Sequence, residues 1–267
     1  MTTQSAGVSA GYLRKRAADI PMSPRIERLK SRMLEEERYL STDQARIITD
    51  TYKKHPEEPR ILQRAHALAA SLRNMPIRID PEELIVGNRT PGVRGGVVFP
   101  EAGISWVDAE LETLPTRPQD PFQVNRADAD YFREELIPFW RGRTLEDQIE
   151  ERIGNEIAAV KTVVKINQTD HAQGHIIPNV AAWLSHGPAG LQGRARRARG
   201  AYRQRQQLAG APVSGPEDSA PGVSNGARRA GGPSVAGPVG EAYYEATEIV
   251  LTAAREFMRR YAEEARK

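Results

Sequence analysis

One internal stretch of this 267-residue chain has a composition that a packed core cannot use. Residues 192–239 contain nine Gly, nine Ala, eight Arg and five Pro, but no Lys, Ile, Phe or Trp. Such a segment cannot bury enough apolar surface to offset its chain entropy, so we expect it to be disordered. The hydrophobic core must then be formed by the residues before and after this stretch.

The same stretch accounts for the basic character of the chain. It holds eight Arg against Glu217 and Asp218, a net charge of +6, whereas the other residues hold 30 bases and 33 acids. The net charge of +3 and the pI near 9.2 therefore do not by themselves indicate a nucleic-acid partner. Three origins stay open for the stretch: a compensated frameshift in GC-rich coding DNA, a genuine flexible insertion, or an Arg-rich tail for nucleic acid.

Three features of the full sequence narrow the class of protein. No window approaches 18 consecutive apolar residues, which excludes a membrane-spanning helix. The N-terminus lacks the pattern of a signal peptide, so we expect a cytoplasmic protein whose residues 1–22 form a disordered leader. There is no cysteine, which excludes disulfides, thiolate metal sites, a cysteine nucleophile and a thiyl radical carried by this chain.

Hydrophobic spacing predicts a mainly α-helical chain with a few short β-strands. Ser-Pro at 23–24 opens one helix, a capping box at Ser41 and Gln44 opens a second, and Pro59 opens a third. Residues 76–100 contain β-prone runs between Gly and Pro residues.

Helical spacing returns over residues 127–159, with a cap at Thr144, and again from Pro178 to a Gly-Pro step at 187–188. The chain therefore divides into a leader, a helical body, an Arg/Gly/Pro-rich disordered segment and an amphipathic helix, at 1–22, 23–191, 192–240 and 241–267.

Polar side chains concentrate in one nine-residue run, made of Asn167, Gln168, Asp170, His171, Gln173 and His175. Asn, Gln and His both donate and accept hydrogen bonds, which suits a substrate with neutral hydroxyl groups. Two alternatives are a loop whose side chains cap backbone groups and a metal held by Asp170, His171 and His175. That spacing matches no zinc signature, so we expect no metal site. His55 and His66, one in a loop and one in a helix, are expected to be structural.

Several runs, in the same order, resemble the glycyl radical enzymes of the pyruvate formate-lyase family, nearest to its diol dehydratase-like members. The runs are RIERLKSRMLEEERYLSTDQARIITDTYKK, LIVGNRTPGVRGGVVFPE, SWVDAELETLPTRPQDPF, FWRGRTLEDQI and TDHAQGHIIPNVAAWLSHGPAGL. The resemblance covers residues 24–191 and resumes at 241–265.

The resemblance implies the N-terminal portion of a ten-stranded α/β barrel, incomplete here, from an enzyme that acts as a homodimer on a small molecule. In that family a partner activase uses S-adenosylmethionine and an iron–sulfur cluster to install a glycyl radical, which passes to a barrel cysteine. No catalytic residue of the family maps onto this chain, since the cysteine, the assisting glutamate and the radical-glycine motif are missing. We expect no cofactor in this chain, no membrane or nucleic-acid partner, and no activity from the chain alone.

The resemblance does place part of the family's substrate pocket on residues of this chain. In diol dehydratase-like members an Asn and a His eight residues apart hydrogen-bond substrate hydroxyls, and Asn167 and His175 match that spacing and context. Relatives that act on choline or hydroxyproline are typically aromatic at the first position, so Asn167 favours a polyol such as glycerol or propanediol.

The predicted function is thus the N-terminal fragment of a glycyl radical lyase or dehydratase. The alternative is a non-catalytic helical interaction module with an Arg-rich nucleic-acid-binding tail. The sequence does not decide whether the chain is a truncated sequence, a pseudogene fragment or one half of a split enzyme.

Overall fold

A computed structural model describes residues 21–156, 159–160, 179–209 and 239–267. In chain order the elements are α1 (Pro24–Glu35), β1 (Tyr39–Ser41), α2 (Asp43–Lys54), α3 (Arg60–Asn74), β2 (Gly95–Val97), α4 (Ser105–Glu110), α5 (Arg126–Tyr131), a π-helical turn (Phe132–Leu136), α6 (Ile137–Trp140), α7 (Leu145–Arg152), α8 (Val180–Ala209) and α9 (Val239–Glu264). The prediction of a mainly helical chain with a few short strands is confirmed. Within these ranges, no helix has both the length and the apolar character needed to cross a membrane.

Three of the predicted helix starts are confirmed. The Ser23 hydroxyl caps α1 by accepting a hydrogen bond from the Ile26 N–H, and Pro59 occupies the N-cap position of α3. Thr144 and Asp147 form a complete capping box at the start of α7, because each side chain accepts from the other residue's backbone N–H at 3.0 Å.

The predicted capping box at Ser41 is wrong. The residue at the N-cap of α2 is Thr42, and the Ser41 hydroxyl donates instead to Asp43 at 2.8 Å. The Thr42 hydroxyl does not cap the helix either, since it donates to Asp128 at 2.7 Å. A contact with a residue far along the chain therefore replaces the local cap.

The strands β1 and β2 form a two-stranded parallel sheet, with Tyr39 opposite Gly95 and Ser41 opposite Val97. Glycine is needed at this crossing, since a Cβ atom on Gly95 would lie 2.5 Å from the Thr90 Cβ and one on Gly96 would meet the Phe122 ring at 2.7 Å. Gly95 and Gly96 thus allow Thr90 and Phe122 to pack closely against β2.

The other β-prone run, residues 77–89, forms no strand. Leu84 and Ile85 in this run are 80% and 90% exposed, so their apolar side chains pack on nothing in the described part of the chain. Hydrophobic side chains alone do not make a strand without a neighbouring edge to pair with.

The core lies between α2, α3 and the helices from α4 to α6. Its largest member is Trp140, whose indole N–H donates to the Thr49 hydroxyl at 2.9 Å in a fully buried setting. Tyr52 packs edge-on against Trp140 at a ring-centroid distance of 4.9 Å. The π-helical turn just before α6 accommodates Pro138, which has no N–H to continue the α-helical pattern.

The last helix, α9, packs along α3. Buried alanines, Ala65 and Ala69 on α3 and Ala253 on α9, allow close approach of the two helices. The Arg260 guanidinium of α9 donates to the backbone oxygens of Leu72 and Met75 at 2.8 and 2.7 Å. Arg260 therefore pairs carbonyl groups at the C-terminus of α3 that no residue within the helix can satisfy.

The second half of α8 packs antiparallel to α9. Four polar contacts mark the register: Gln192 to Thr252 at 2.7 Å, Arg196 to Glu248 at 2.9 Å, Arg199 to Glu245 at 3.0 Å and Arg203 to Glu241 at 2.8 Å. Each step of three or four residues forward along α8 matches an equal step back along α9, which places one stripe of each helix face to face.

The prediction of disorder is therefore wrong for residues 192–209, which are helical. The composition argument considered only apolar burial, whereas Arg196, Arg199 and Arg203 of this segment pair with carboxylates of another helix. Hydrogen bonds from Arg203 and then Arg199 hold the pKa of Glu241 below its ordinary value. The rest of the segment, residues 210–238, and the predicted leader up to residue 20 lie outside the described residues.

Replacing Arg199 by Met tests the charge pairing between α8 and α9. Arg199 is within 3.6 Å of carboxylates of Glu241, Glu245 and Glu248. Its loss removes the Arg partner of Glu245, while Glu241 and Glu248 keep only Arg203 and Arg196. We expect the free energy of unfolding, measured in urea, to fall by about 1 kcal/mol at low salt and by less at about 1 M NaCl. Arg197→Met makes the same charge change on a different face of α8, and an equal loss in both variants would contradict the pairing.

Replacing Thr49 by Val tests the buried tryptophan contact. The substitution leaves the Trp140 indole N–H without an acceptor, and we expect the free energy of unfolding to fall by about 1–3 kcal/mol. Thr51→Val is the matched control, because each threonine donates to the backbone oxygen four residues earlier at 2.7 Å and only Thr49 also accepts from Trp140. Urea unfolding of the two variants should separate the tryptophan contribution; equal losses would refute it.

Candidate functional site

The two predicted substrate-binding residues, Asn167 and His175, lie outside the described residues. The same holds for Asp170 and His171, so the alternative metal set also has no described geometry. Their assignment stays a prediction. The structure resumes at Asn179, whose side chain accepts a hydrogen bond from the Ala182 N–H at 3.0 Å and so caps α8.

A cleft of about 620 Å³ lies at the start of α8, in chain terms directly after the predicted substrate loop. It is lined mainly by apolar groups with one amide and one guanidinium: Asn179, Val180, Ala182, Trp183, Leu191 and Arg194. A volume of this order suits a small organic molecule.

The cleft depends on a break within α8. Gly187 has φ 58° and ψ 174°, which is not helical, and Pro188 follows it. This confirms the predicted helix end at residues 187–188, although a new helical run begins at once. Trp183 and Leu191 therefore stand on two differently directed halves of α8 and line the same space.

A second cleft of about 620 Å³ lies between α2, α3 and α6. It combines aromatic rings, three cations and one carboxylate: Tyr52, Phe139, Trp140, Lys53, Arg60, Arg143 and Glu58, together with Pro56 and Gln63. The cations are partly held by the protein itself, since Lys53 pairs with Glu135 at 3.1 Å and Arg143 lies over the Phe139 ring.

Tyr52 ties this cleft to the loop that follows β2. Its hydroxyl donates to the Glu101 carboxylate, and the ring is almost fully buried. Burial, then the hydrogen bond to Glu101 and its negative charge, raise the pKa of Tyr52 well above the ordinary range of a tyrosine. Tyr52 therefore acts as a neutral hydrogen-bond donor.

The structure brings together two histidines that the sequence did not connect. His55, just after α2, and His66, in α3, have stacked rings with centroids 4.3 Å apart, and Glu58 lies beside both. The sequence does contain a pattern that could have indicated this cluster. A His-x-x-Glu step is followed by a histidine eight residues later, across the helix start at Pro59. Its meaning depends on the angle between α2 and α3, which the spacing does not give.

The fold of the chain matches part of a solved dehydratase structure. With a TM-score of 0.73, 91% of the chain superposes on 28% of the glycerol-bound B12-independent glycerol dehydratase from Clostridium butyricum, at 24% sequence identity. A likeness at this identity shows the fold.

Sequence comparisons identify the family. A family model described as pyruvate formate lyase-like matches residues 20–211. The chain belongs to the pyruvate formate lyase-like family, which confirms the resemblance inferred from the sequence runs.

Two curated relatives carry dehydratase names. The protein named probable dehydratase YbiW, from Escherichia coli strain K12, is 31% identical over 154 residues, which are 57% of this chain and 19% of that protein. The (2S)-3-sulfopropanediol dehydratase of Klebsiella oxytoca is 27% identical over 177 residues, 63% of this chain and 21% of that protein. The chain thus spans about a fifth of the length of these relatives.

The residues present do not fit the radical chemistry of the family. A thiyl radical needs a cysteine, and none of the 267 residues is a cysteine. No thiyl-radical step can therefore be assigned to a side chain of these 267 residues.

Replacing Tyr52 by Phe yields a pH-dependent prediction. Because the pKa of Tyr52 is raised on folding, its contribution to stability is complete below pH 10 and is lost as the pH rises and the unfolded chain ionises. The stability advantage of the wild type over Tyr52→Phe should shrink above about pH 10, by up to about 1.4 kcal/mol per pH unit. Urea unfolding at about pH 9 and about pH 11 measures the difference. Tyr243→Phe, at an exposed position, is the control, and a constant wild-type advantage over Tyr52→Phe would contradict the expected burial effect.

Proposed function

We propose that this chain is the N-terminal part of a glycyl radical dehydratase or lyase acting on a small hydroxylated substrate such as glycerol or propanediol. The observation that carries the proposal is the family match over residues 20–211, which includes Asn167 and His175. The dehydratase names of the relatives support the reaction class. Asn167 and His175 would contribute hydrogen bonds to substrate hydroxyls.

The catalytic groups belong, in this proposal, to polypeptide beyond these 267 residues. The absence of cysteine and the small share of each relative that the chain covers support this division. The exposed side chains of Leu84 and Ile85 also support it, because apolar groups at such exposure suit a surface that further polypeptide covers. The remainder of the barrel, a homodimeric assembly, a cytoplasmic location and an activase with S-adenosylmethionine and an iron–sulfur cluster complete the proposal.

The alternative of an Arg-rich nucleic-acid tail receives no support from the described part of residues 192–239. Arg196, Arg199 and Arg203 are engaged by carboxylates of α9. A guanidinium held by a carboxylate must give up that partner before it can bind a phosphate, which lowers the gain in free energy from nucleic acid.

A chimera tests the proposed function. Residues 24–191 replace the corresponding segment of the Clostridium butyricum glycerol dehydratase, and the protein is activated without oxygen by its activase and S-adenosylmethionine. We expect propanediol dehydration, with kcat/KM reduced about 10- to 100-fold by Asn167→Ala or His175→Ala, since each change leaves a substrate hydroxyl unpaired. Aldehyde formation measures turnover, and electron paramagnetic resonance measures the radical.

Gln173→Ala is the control for this experiment, because Gln173 belongs to the same polar run but has no proposed contact with substrate. Its kcat/KM should stay close to that of the unmodified chimera. A chimera that forms the glycyl radical but dehydrates no diol would overturn the substrate class. Diol turnover by the 267-residue chain alone, with activase, would overturn the division of the active site.

A further inference from the structure

The connection between α2 and α3 gathers three metal-binding side chains. The imidazoles of His55 and His66 and the carboxylate of Glu58 each offer one ligand atom, and these atoms lie within 4.8 Å of one another. His55 Nδ1 is 3.0 Å from Glu58 Oε1, and His66 Nε2 is 3.4 Å from Glu58 Oε2. The three residues are 55, 58 and 66 in sequence, so one short connection and the first turns of α3 supply the whole set.

The backbone of this connection is held in place by contacts that do not involve the three side chains. The His55 N–H donates to Thr51 O at 3.2 Å and continues α2 by one residue. The buried Gln63 amide donates to the backbone oxygens of His55 and Pro56 at 2.7 and 3.2 Å. The backbone that carries His55 and Glu58 is therefore fixed, which lowers the entropy cost of binding an ion.

One carboxylate oxygen of the cluster accepts no hydrogen bond. Glu58 Oε2 is buried, and it has no hydrogen-bond partner, although His66 Nε2 lies nearby. A buried carboxylate oxygen without a donor is unfavourable unless a cation compensates its charge. Each of the three side chains is about one-third exposed, so an ion can reach the cluster from solvent.

The kind of ligand atom selects the kind of ion. Two imidazole nitrogens and one carboxylate oxygen match the donor set of zinc sites that keep a fourth position open for water or substrate. Magnesium and calcium prefer oxygen ligands throughout, which this cluster does not offer. We propose that His55, Glu58 and His66 form a binding site for a divalent first-row transition ion, with zinc as the ion the donor set fits best.

Binding requires a small change in the two rings. The imidazole planes are only 3° apart, so their nitrogen lone pairs do not converge. Ligand atoms around a tetrahedral zinc are roughly 3.4 Å apart, given bonds of about 2.0–2.1 Å. Rotation of the two rings about their side-chain bonds brings the nitrogens together, and the ion then links the end of α2 to α3. The site uses neither Asn167 nor His175, so it stands apart from the proposed function.

Titration of the full 267-residue chain with zinc chloride tests the site. Isothermal calorimetry in a non-chelating buffer should give one zinc bound by the wild type through these residues. His55→Gln, Glu58→Gln and His66→Gln should each weaken zinc binding at least tenfold, since each removes one of three ligands. Cobalt chloride provides a second probe, because its visible spectrum reports the coordination geometry directly.

Two further variants separate this site from other histidines. His186→Gln removes a histidine of α8 that is not part of the cluster and should leave zinc affinity unchanged. A His171→Gln and His175→Gln double variant removes the histidines of the polar run and should also bind zinc normally. Loss of binding in that double variant, with binding retained in His55→Gln and His66→Gln, would overturn the proposal.

Folding is followed in the same samples by circular dichroism and by thermal unfolding with and without zinc. Glu58→Gln is close in shape to the wild type, so it should keep the wild-type melting temperature without zinc but lose the zinc-induced increase. An unchanged zinc-induced increase in folded Glu58→Gln would refute the site, as would the absence of zinc binding in the folded wild type.

Discussion

One helix, α9, joins α8 to α3, and α3 in turn borders the hydrophobic core. α9 packs on α3 through small buried side chains and on α8 through a row of charged and polar pairs. Without α9, the carbonyl oxygens of Leu72 and Met75 would lose the Arg260 guanidinium, and Asn88 would lose the Tyr261 hydroxyl. These partners lie 173 to 188 residues apart in sequence, so they meet only when the fold closes, and such contacts are costly in chain entropy.

Elements with purely local causes were predictable from sequence. Thr144 and Asp147 cap α7 because both partners lie within one turn, and Pro59 opens α3 because its fixed φ suits a helix start. The helix of α9 followed from the regular spacing of its apolar residues. The cap at Ser41 failed because the helix begins one residue later and the Ser41 hydroxyl donates to Asp43. Thr42, at the N-cap, does not cap the helix because its hydroxyl donates to Asp128, far away in sequence.

Composition gave the wrong answer for residues 192–209 for a similar reason. A count of apolar residues treats arginine as a solvated charge, but Arg196, Arg199 and Arg203 gain carboxylate partners on α9. The stripe of arginines three and four residues apart is visible in the sequence, as is the matching stripe of acids between residues 241 and 248. The sequence does not show that these two stripes face each other in the folded chain.

The candidate sites show the same limit. The polar run from Asn167 to His175 is recognisable because its spacing is local and its context resembles that of relatives. The pairing of His55 with His66 is not, since it depends on how α2 and α3 pack. His55 and His66 look structural when each is considered alone. Their proposed role in metal binding follows only from their proximity in the fold.

The break at Gly187 has a consequence for cooperativity. Hydrogen bonding cannot pass through a residue at φ 58° followed by a proline, so the two halves of α8 do not stabilise each other as one continuous helix would. The later half is anchored by α9, whereas the earlier half exposes Leu184 and much of Trp183 to solvent. The earlier half is therefore a separate unit of local unfolding, one that can open and reclose while the anchored helix pair stays intact.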